Sequence, residues 1–139
     1  MLAVPRNVLK YRNPKRKGVQ LHLFADASET GYGSVVYVRF QDELNKHIVH
    51  LLTAKARVAP LKTVSIPRLE FNAAVMSVRL YRHIKQEFDH EFEKVVFWTD
   101  SMIVIRYIDN TSSRFSTYVA NRVQEILESS EPNRWKHVN

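Results

Sequence analysis

Three carboxylates stand where one chain could gather them. Asp26 closes an alternating run that begins at Leu21, Glu70 follows Pro67 at the start of a helical pattern, and Asp100 closes the apolar run Lys94 to Thr99. Brought to one place, three such charges repel one another. A hard divalent cation such as magnesium, which takes oxygen ligands from Asp, Glu, water and phosphate, relieves that repulsion. Two ions held in this way position a water and stabilise the leaving oxygen of a phosphodiester, so the chemistry would be metal-dependent phosphodiester hydrolysis. Taken singly, each acid has a plainer use as a cap or a helix-dipole partner. The neighbourhood favours the joint reading. Between Lys46 and Arg82 lie seven bases, and Glu70 is the only acid among them. A polyanionic substrate explains a lone carboxylate in a basic surrounding.

The elements that would position these acids follow from periodicity. Leu21, Leu23 and Ala25 alternate with His22, Phe24 and Asp26, which predicts a strand ending at Asp26. Gly31 and Gly33 punctuate a turn, and Ser34 to Phe40 is rich in β-branched and aromatic residues, so a hairpin is expected. Lys46 to Ala54 gives a third strand. Pro67, with Ser65 or Ile66 at the cap, opens a helix whose apolar stripe is Leu69, Ala73, Met76, Leu80 and Ile84. Lys94 to Thr99 is the buried middle strand, Ser101 to Ile108 a short helix, and Phe115 to Ser129 a second amphipathic helix. Arg134 to Val138 reads as the last strand. The order is β-β-β-α-β-α-α-β, an α/β fold with a mixed five-stranded sheet: a three-stranded antiparallel meander plus two further strands, flanked by helices.

Composition agrees with one globular domain. Of 139 residues, 45% are apolar and 25% charged, enough to build one core without a disulfide or structural metal. The chain has no cysteine, which excludes thiol nucleophiles, Cys-ligated zinc and iron–sulfur clusters. No apolar run is long enough for a bilayer span and no signal core opens the chain, so no membrane partner and an intracellular location are expected. The formal charge is +7, but six of the bases fall in residues 1–20, where there is no acid, leaving fifteen bases against fourteen acids in the rest. Residues 1–18 are therefore expected to form a basic leader or linker and 19–139 the folded domain.

The sequence around the three acids is recognisable. Phe24-Ala25-Asp26-Ala27-Ser28-Glu29-Thr30-Gly31-Tyr32-Gly33 resembles the first hairpin of the ribonuclease H-like domain of retroelement polyproteins, and Ile66-Pro67-Arg68-Leu69-Glu70-Phe71-Asn72-Ala73-Ala74 and Phe97-Trp98-Thr99-Asp100-Ser101 resemble its other two acidic motifs. With Ala54-Lys55-Ala56-Arg57-Val58-Ala59-Pro60 ahead of the helix, the chain is most similar to the BEL/Pao group of long-terminal-repeat retrotransposons, from about Val19 to Asn139. The resemblance implies an endonuclease that cuts the RNA strand of an RNA–DNA hybrid using two magnesium ions, with manganese as a substitute. It implies Asp26, Glu70 and Asp100 as catalytic and metal-binding residues. Its partners would be the hybrid, the reverse transcriptase and other parts of the same polyprotein, in a cytoplasmic retroelement particle or the nucleus. Such an enzyme reads the 2′-hydroxyl and the minor-groove shape of its substrate. Ser28, Asn72 and Ser101, each beside a candidate ligand, and the bases Arg57, Lys62 and Arg68 are the expected substrate contacts; as turn or cap residues, the three polar ones also have a purely structural use.

The family pattern includes a fourth acid on a terminal helix after the last strand. No residue here takes that place by motif, so the domain is expected to be C-terminally incomplete and weakly active or inactive. The six histidines show no metal-ligand pairing and read as packing or surface residues, His137 being the one near enough the chain end to approach substrate. Trp98 and Trp135 are expected in the core. The rival reading is a catalytically inactive nucleic-acid-binding or connection module of the same fold, against which the retained set of three acids argues.

Overall fold

The computed structural model describes residues 18–59, 64–88, 92–109 and 116–138. The elements are β1 (Gln20–Ser28), β2 (Gly31–Gln41), β3 (His47–Val58), α1 (Ile66–Glu87), β4 (Lys94–Thr99), α2 (Met102–Asp109), α3 (Thr117–Ser129) and β5 (Trp135–His137), the last preceded by a single 3-10 turn at Pro132–Arg134. The strands form one sheet in the order β3-β2-β1-β4-β5. β1, β2 and β3 are antiparallel neighbours, whereas β4 lies parallel to β1 and β5 parallel to β4. The expected order and mixed sheet are both present. The basic leader expected over 1–18 lies, except for Gly18, outside the described residues.

All three helices bury their apolar stripes in a single core. Phe71, Val78 and Ile84 of α1, Val104 and Ile108 of α2, and Val123 and Ile126 of α3 join Leu21, Leu23, Val36 and Phe97 of the sheet. Each such side chain removed from water stabilises the fold by about 1.5–3 kcal/mol. α1 begins as expected: Pro67 occupies its first turn, and the Ser65 hydroxyl accepts from the backbone N–H of Arg68 at 3.4 Å. α3 starts likewise at Ser116, whose hydroxyl accepts from Val119 N–H at 3.3 Å. Trp135 anchors the short β5, stacking on Phe97 with ring centroids 4.8 Å apart and donating from its indole to Ser130 Oγ at 2.9 Å. The opposite face of the sheet carries an aromatic row in which Phe24 stacks on Trp98 and meets Tyr37 edge-on. Trp98 is therefore half-buried on that face and not in the helix-side core, unlike Trp135.

Two local expectations are corrected. Gly31 and Gly33 do not form the turn, which is Glu29–Thr30; they belong to β2 and face β3 at close range. A Cβ on Gly33 would stand 2.9 Å from the Lys55 carbonyl oxygen, and one on Gly31 would run into the carbonyl of Arg57. They are glycines because the next strand passes close by. β3 also runs past Ala54 to Val58, continuing beyond a register shift between Val36 and Tyr37 that leaves Leu52 as an extra residue. Lys55 and Arg57 thus sit on a strand and not in a loop.

Candidate nuclease site and its flank

Ala25 and Thr99 are the last paired residues of the parallel strands β1 and β4. Asp26 and Asp100 come next on each, both exposed. Adjacent strands lie about 4.8 Å apart, so these two carboxylates emerge side by side at one sheet end. Both line an open groove of about 1070 Å³, together with Ser28, Thr30, Lys55, Arg57 and Val138. The other wall of Asp100 is fixed by β5: Val138 N–H donates to the Thr99 carbonyl at 2.9 Å, and the His137 ring nitrogen Nε2 lies 3.2 Å from the Asp100 carbonyl oxygen, to which it donates in the Nε2–H form.

Glu70 lies at the same end. The Ser34 and Ser77 hydroxyls meet at 2.6 Å inside the core, which sets the fourth turn of α1 over the Ala25–Ser34 pair. Further along, Tyr81 meets Phe97 edge-on at 5.6 Å. The helix therefore runs from the ends of β1 and β4 back toward their starts. Glu70, seven residues before Ser77, is about 10 Å along the axis toward the carboxylate end. It is half-buried and does not line the groove that Asp26 and Asp100 share. Asp26 and Asp100 offer oxygen donors only, the chemistry a hard divalent cation takes. Among the described residues no three His, Asp or Glu side chains are grouped so as to hold a metal ion.

The expected substrate contacts divide into three sets. Ser28 lines the groove, its hydroxyl 3.0 Å from that of Thr30, and Arg57 lines the groove as well. Ser101 is buried and used locally: its hydroxyl accepts from Val104 N–H at 3.2 Å, and its own N–H donates to Thr99 Oγ1 at 3.1 Å, which caps α2 just after Asp100. Asn72 and Arg68 belong to the flank. Asn72 Oδ1 accepts from the Tyr118 hydroxyl at 2.9 Å and from Arg122 Nε at 3.3 Å. The Tyr118 ring has two guanidinium groups on it, Arg122 at 3.7 Å and Arg68 at 4.6 Å from the centroid. Lys62 lies outside the described residues.

That flank is the part sequence reasoning missed. A cavity of about 680 Å³ opens between β3 and the helices α1 and α3, lined by Tyr32, Lys55, Arg57, Asn72, Arg79, His83, Asn121, Arg122 and Glu125 among others. Glu125 accepts from Arg79 Nε at 2.8 Å and Nη2 at 2.9 Å, and from Arg82 Nη2 at 3.1 Å. The Arg79 hydrogen bond, chiefly, holds the Glu125 carboxyl below its ordinary range, and the same bond raises Arg79. The sequence signal was the surplus of bases between Lys46 and Arg82, but the residues of α3 that face them are distant in the chain.

Comparison with known proteins agrees with the fold. A family model described as the Pao retrotransposon-like RNaseH-like domain matches residues 1–101. A search of the curated proteins found no match. Among solved structures, the RNase H1 of the halophilic archaeon Halobacterium salinarum NRC-1 is 10% identical, covering 86% of this chain and 84% of that one, with a TM-score of 0.50. LC11-RNase H1, solved in complex with an RNA/DNA hybrid, is also 10% identical, covering 86% and 83%, with a TM-score of 0.52. The N-terminal RNase H domain of a Mycobacterium tuberculosis protein gives 10%, 87% and 79%, and 0.52.

Proposed function

Because the chain belongs to the Pao retrotransposon-like RNaseH-like family, we propose that it is the ribonuclease H-type endonuclease domain of a retrotransposon polyprotein, hydrolysing the RNA strand of RNA–DNA hybrids. The observation that carries this reading is the emergence of Asp26 and Asp100 side by side into one groove whose wall bears Lys55 and Arg57. Two carboxylates against two bases give a place for a cation beside a place for phosphates.

In this reading Asp26 and Asp100 would hold divalent ions from adjacent strands, and Glu70 would approach from the second turn of α1. Magnesium, or manganese in its stead, would when bound there supply an activated water and offset charge on the phosphate oxygens. The chain's own residues do the rest. Arg57 fixes a phosphate of the hybrid as a bidentate donor. Ser28, exposed at the groove, offers a hydroxyl to the substrate. Ser101 acts at one remove, by fixing the start of α2 and so the direction of Asp100. Arg68 and Asn72 continue the contact along α1, toward the reverse transcriptase's product as it leaves the polymerising part of the same polyprotein.

Magnesium-dependent cleavage of a labelled RNA–DNA hybrid tests the proposal. Wild type should cut the RNA strand only, and Asp26→Asn should abolish cutting while leaving the fold intact by circular dichroism. Hybrid binding without cutting at any magnesium or manganese concentration would instead identify a binding module of the same fold.

A further inference from the structure

The cavity between β3 and the helices has a composition that the cutting reaction does not require. Its strand wall arises from the sheet order. β3 is the outermost strand, α1 packs over β1 and β2, and the helix-side face of β3 is left open beyond Leu52. Lys55 pairs with Ser34 and Arg57 with Tyr32 across the β2–β3 ladder, so both follow the helix-side face on which Ser34 meets Ser77. The facing wall is α1 and α3, with Arg79, Asn121 and Arg122; the floor is Val75, Met76 and Leu80.

The charges in this cavity are unequal. Its one lining carboxylate, Glu125, already accepts from two guanidinium groups. Among the described residues neither Lys55 nor Arg57 forms an ion pair, and Arg122 is spent on the neutral partners Asn72 and Tyr118. The surplus positive charge therefore faces solvent within the cavity, with the amide of Asn121 and the ring of Tyr32 beside it. Tyr32, Ala54, Lys55 and Arg57 line both this cavity and the carboxylate groove. The groove lies on the Phe24–Tyr37 face of the sheet and the cavity on its helix side, so the two concavities flank the edge strand β3 from its two faces.

We infer that this cavity binds the sugar-phosphate backbone of a single nucleic-acid strand that leaves the carboxylate groove and passes around the edge strand β3 to Lys55 and Arg57. Phosphates attract the unpaired bases, and the aromatic and apolar lining tolerates any nucleobase, so recognition is by backbone charge and stacking and not by sequence. The inference rests on the proposed function for what occupies the groove, and it adds a strand extension as the preferred substrate.

The test needs neither metal nor cleavage. Binding of fluorescent nucleic acids to the whole chain in EDTA should be tighter for a hybrid bearing a single-stranded extension than for the same hybrid with blunt ends, by on the order of tenfold. Lys55→Glu and Asn121→Glu, which place a carboxylate on opposite walls at exposed positions, should each remove most of that difference and lower the salt dependence by about one phosphate contact. Equal affinity for blunt and extended hybrids, or variants that bind both like wild type, would overturn the inference. So would full competition by inorganic phosphate at low millimolar concentration, which would mark the cavity as a site for an isolated anion. Absence of the extension effect in the wild-type chain, if that chain still cuts hybrids, refutes the cavity alone; an extension effect in a wild-type chain that cuts nothing refutes the nuclease reading alone.

Discussion

His22 and Trp98 hold one another across two parallel strands. The Trp98 indole N–H donates to His22 Nδ1 at 3.0 Å, and the two rings stack 6.2 Å apart. Since Nδ1 accepts, the ring proton sits on Nε2, which donates to Gln20 Oε1 at 3.0 Å. The pair ties β1 to β4 four residues before Asp26 and two before Asp100.

A neutral imidazole is required by that pair, and burial, followed by the charges of Lys94 and Arg39, lowers the His22 pKa below 6.5. The unfolded chain then binds a proton at a higher pH than the folded one. Stability from this group is complete above about pH 6.5 and declines as the pH falls through the window between the unfolded and folded values. Urea denaturation from pH 8 to pH 5 should show this decline in wild type, and a smaller one in His22→Gln.

The Ser34–Ser77 contact is fully buried. Ser77→Ala should cost about 1–3 kcal/mol, because it strands the Ser34 hydroxyl without a partner. The double variant Ser34→Ala, Ser77→Ala should recover much of that loss. A double-mutant cycle by chemical denaturation gives the coupling directly.

Gly33→Ala should destabilise by about 1–3 kcal/mol, since the added methyl forces β3 away from β2. Hydrogen exchange should localise the loosening to the β2–β3 ladder. An unchanged melting temperature would show that β3 can shift freely.

Glu125→Gln should lose less, about 0.5–1 kcal/mol, because its bidentate partner Arg79 is largely open to solvent and Arg82 is only partly buried. The lowered carboxyl pKa makes the wild-type contribution present above about pH 4.5 and lost as the pH falls through the folded value. Wild type and variant should converge in stability at acid pH.

Much of this architecture was legible because each element carries its own local signal. Alternation from Leu21 to Ala25 and the helical stripe from Leu69 to Ile84 depend only on neighbours in the chain, and both appear where expected. Pro67 and Ser65 marked the start of α1 for the same reason. Gly31 and Gly33 were misread because their constraint comes from β3, more than twenty residues away, and a close approach between strands leaves the same mark in a sequence as a turn. The end of β3 was placed too early because the bases Lys55 and Arg57 look like loop residues until the sheet order makes their strand an edge. The three acids could be assigned to strand ends and a helix start from local pattern; their mutual separation depends on how α1 crosses the sheet, which no local pattern encodes. The pairing of Glu125 with Arg79 and Arg82 is likewise tertiary.

An outer strand as long as β3, with Val49, Leu51 and Val58 exposed, is an invitation to unwanted self-association, since its free backbone groups can template a further strand from another molecule. Lys55 and Arg57 counter this: two like charges on the rim make the docking of a second copy in register repulsive. Neutralising them should lower solubility as well as any affinity for polyanions, so loss of soluble yield and loss of ligand would have to be measured separately.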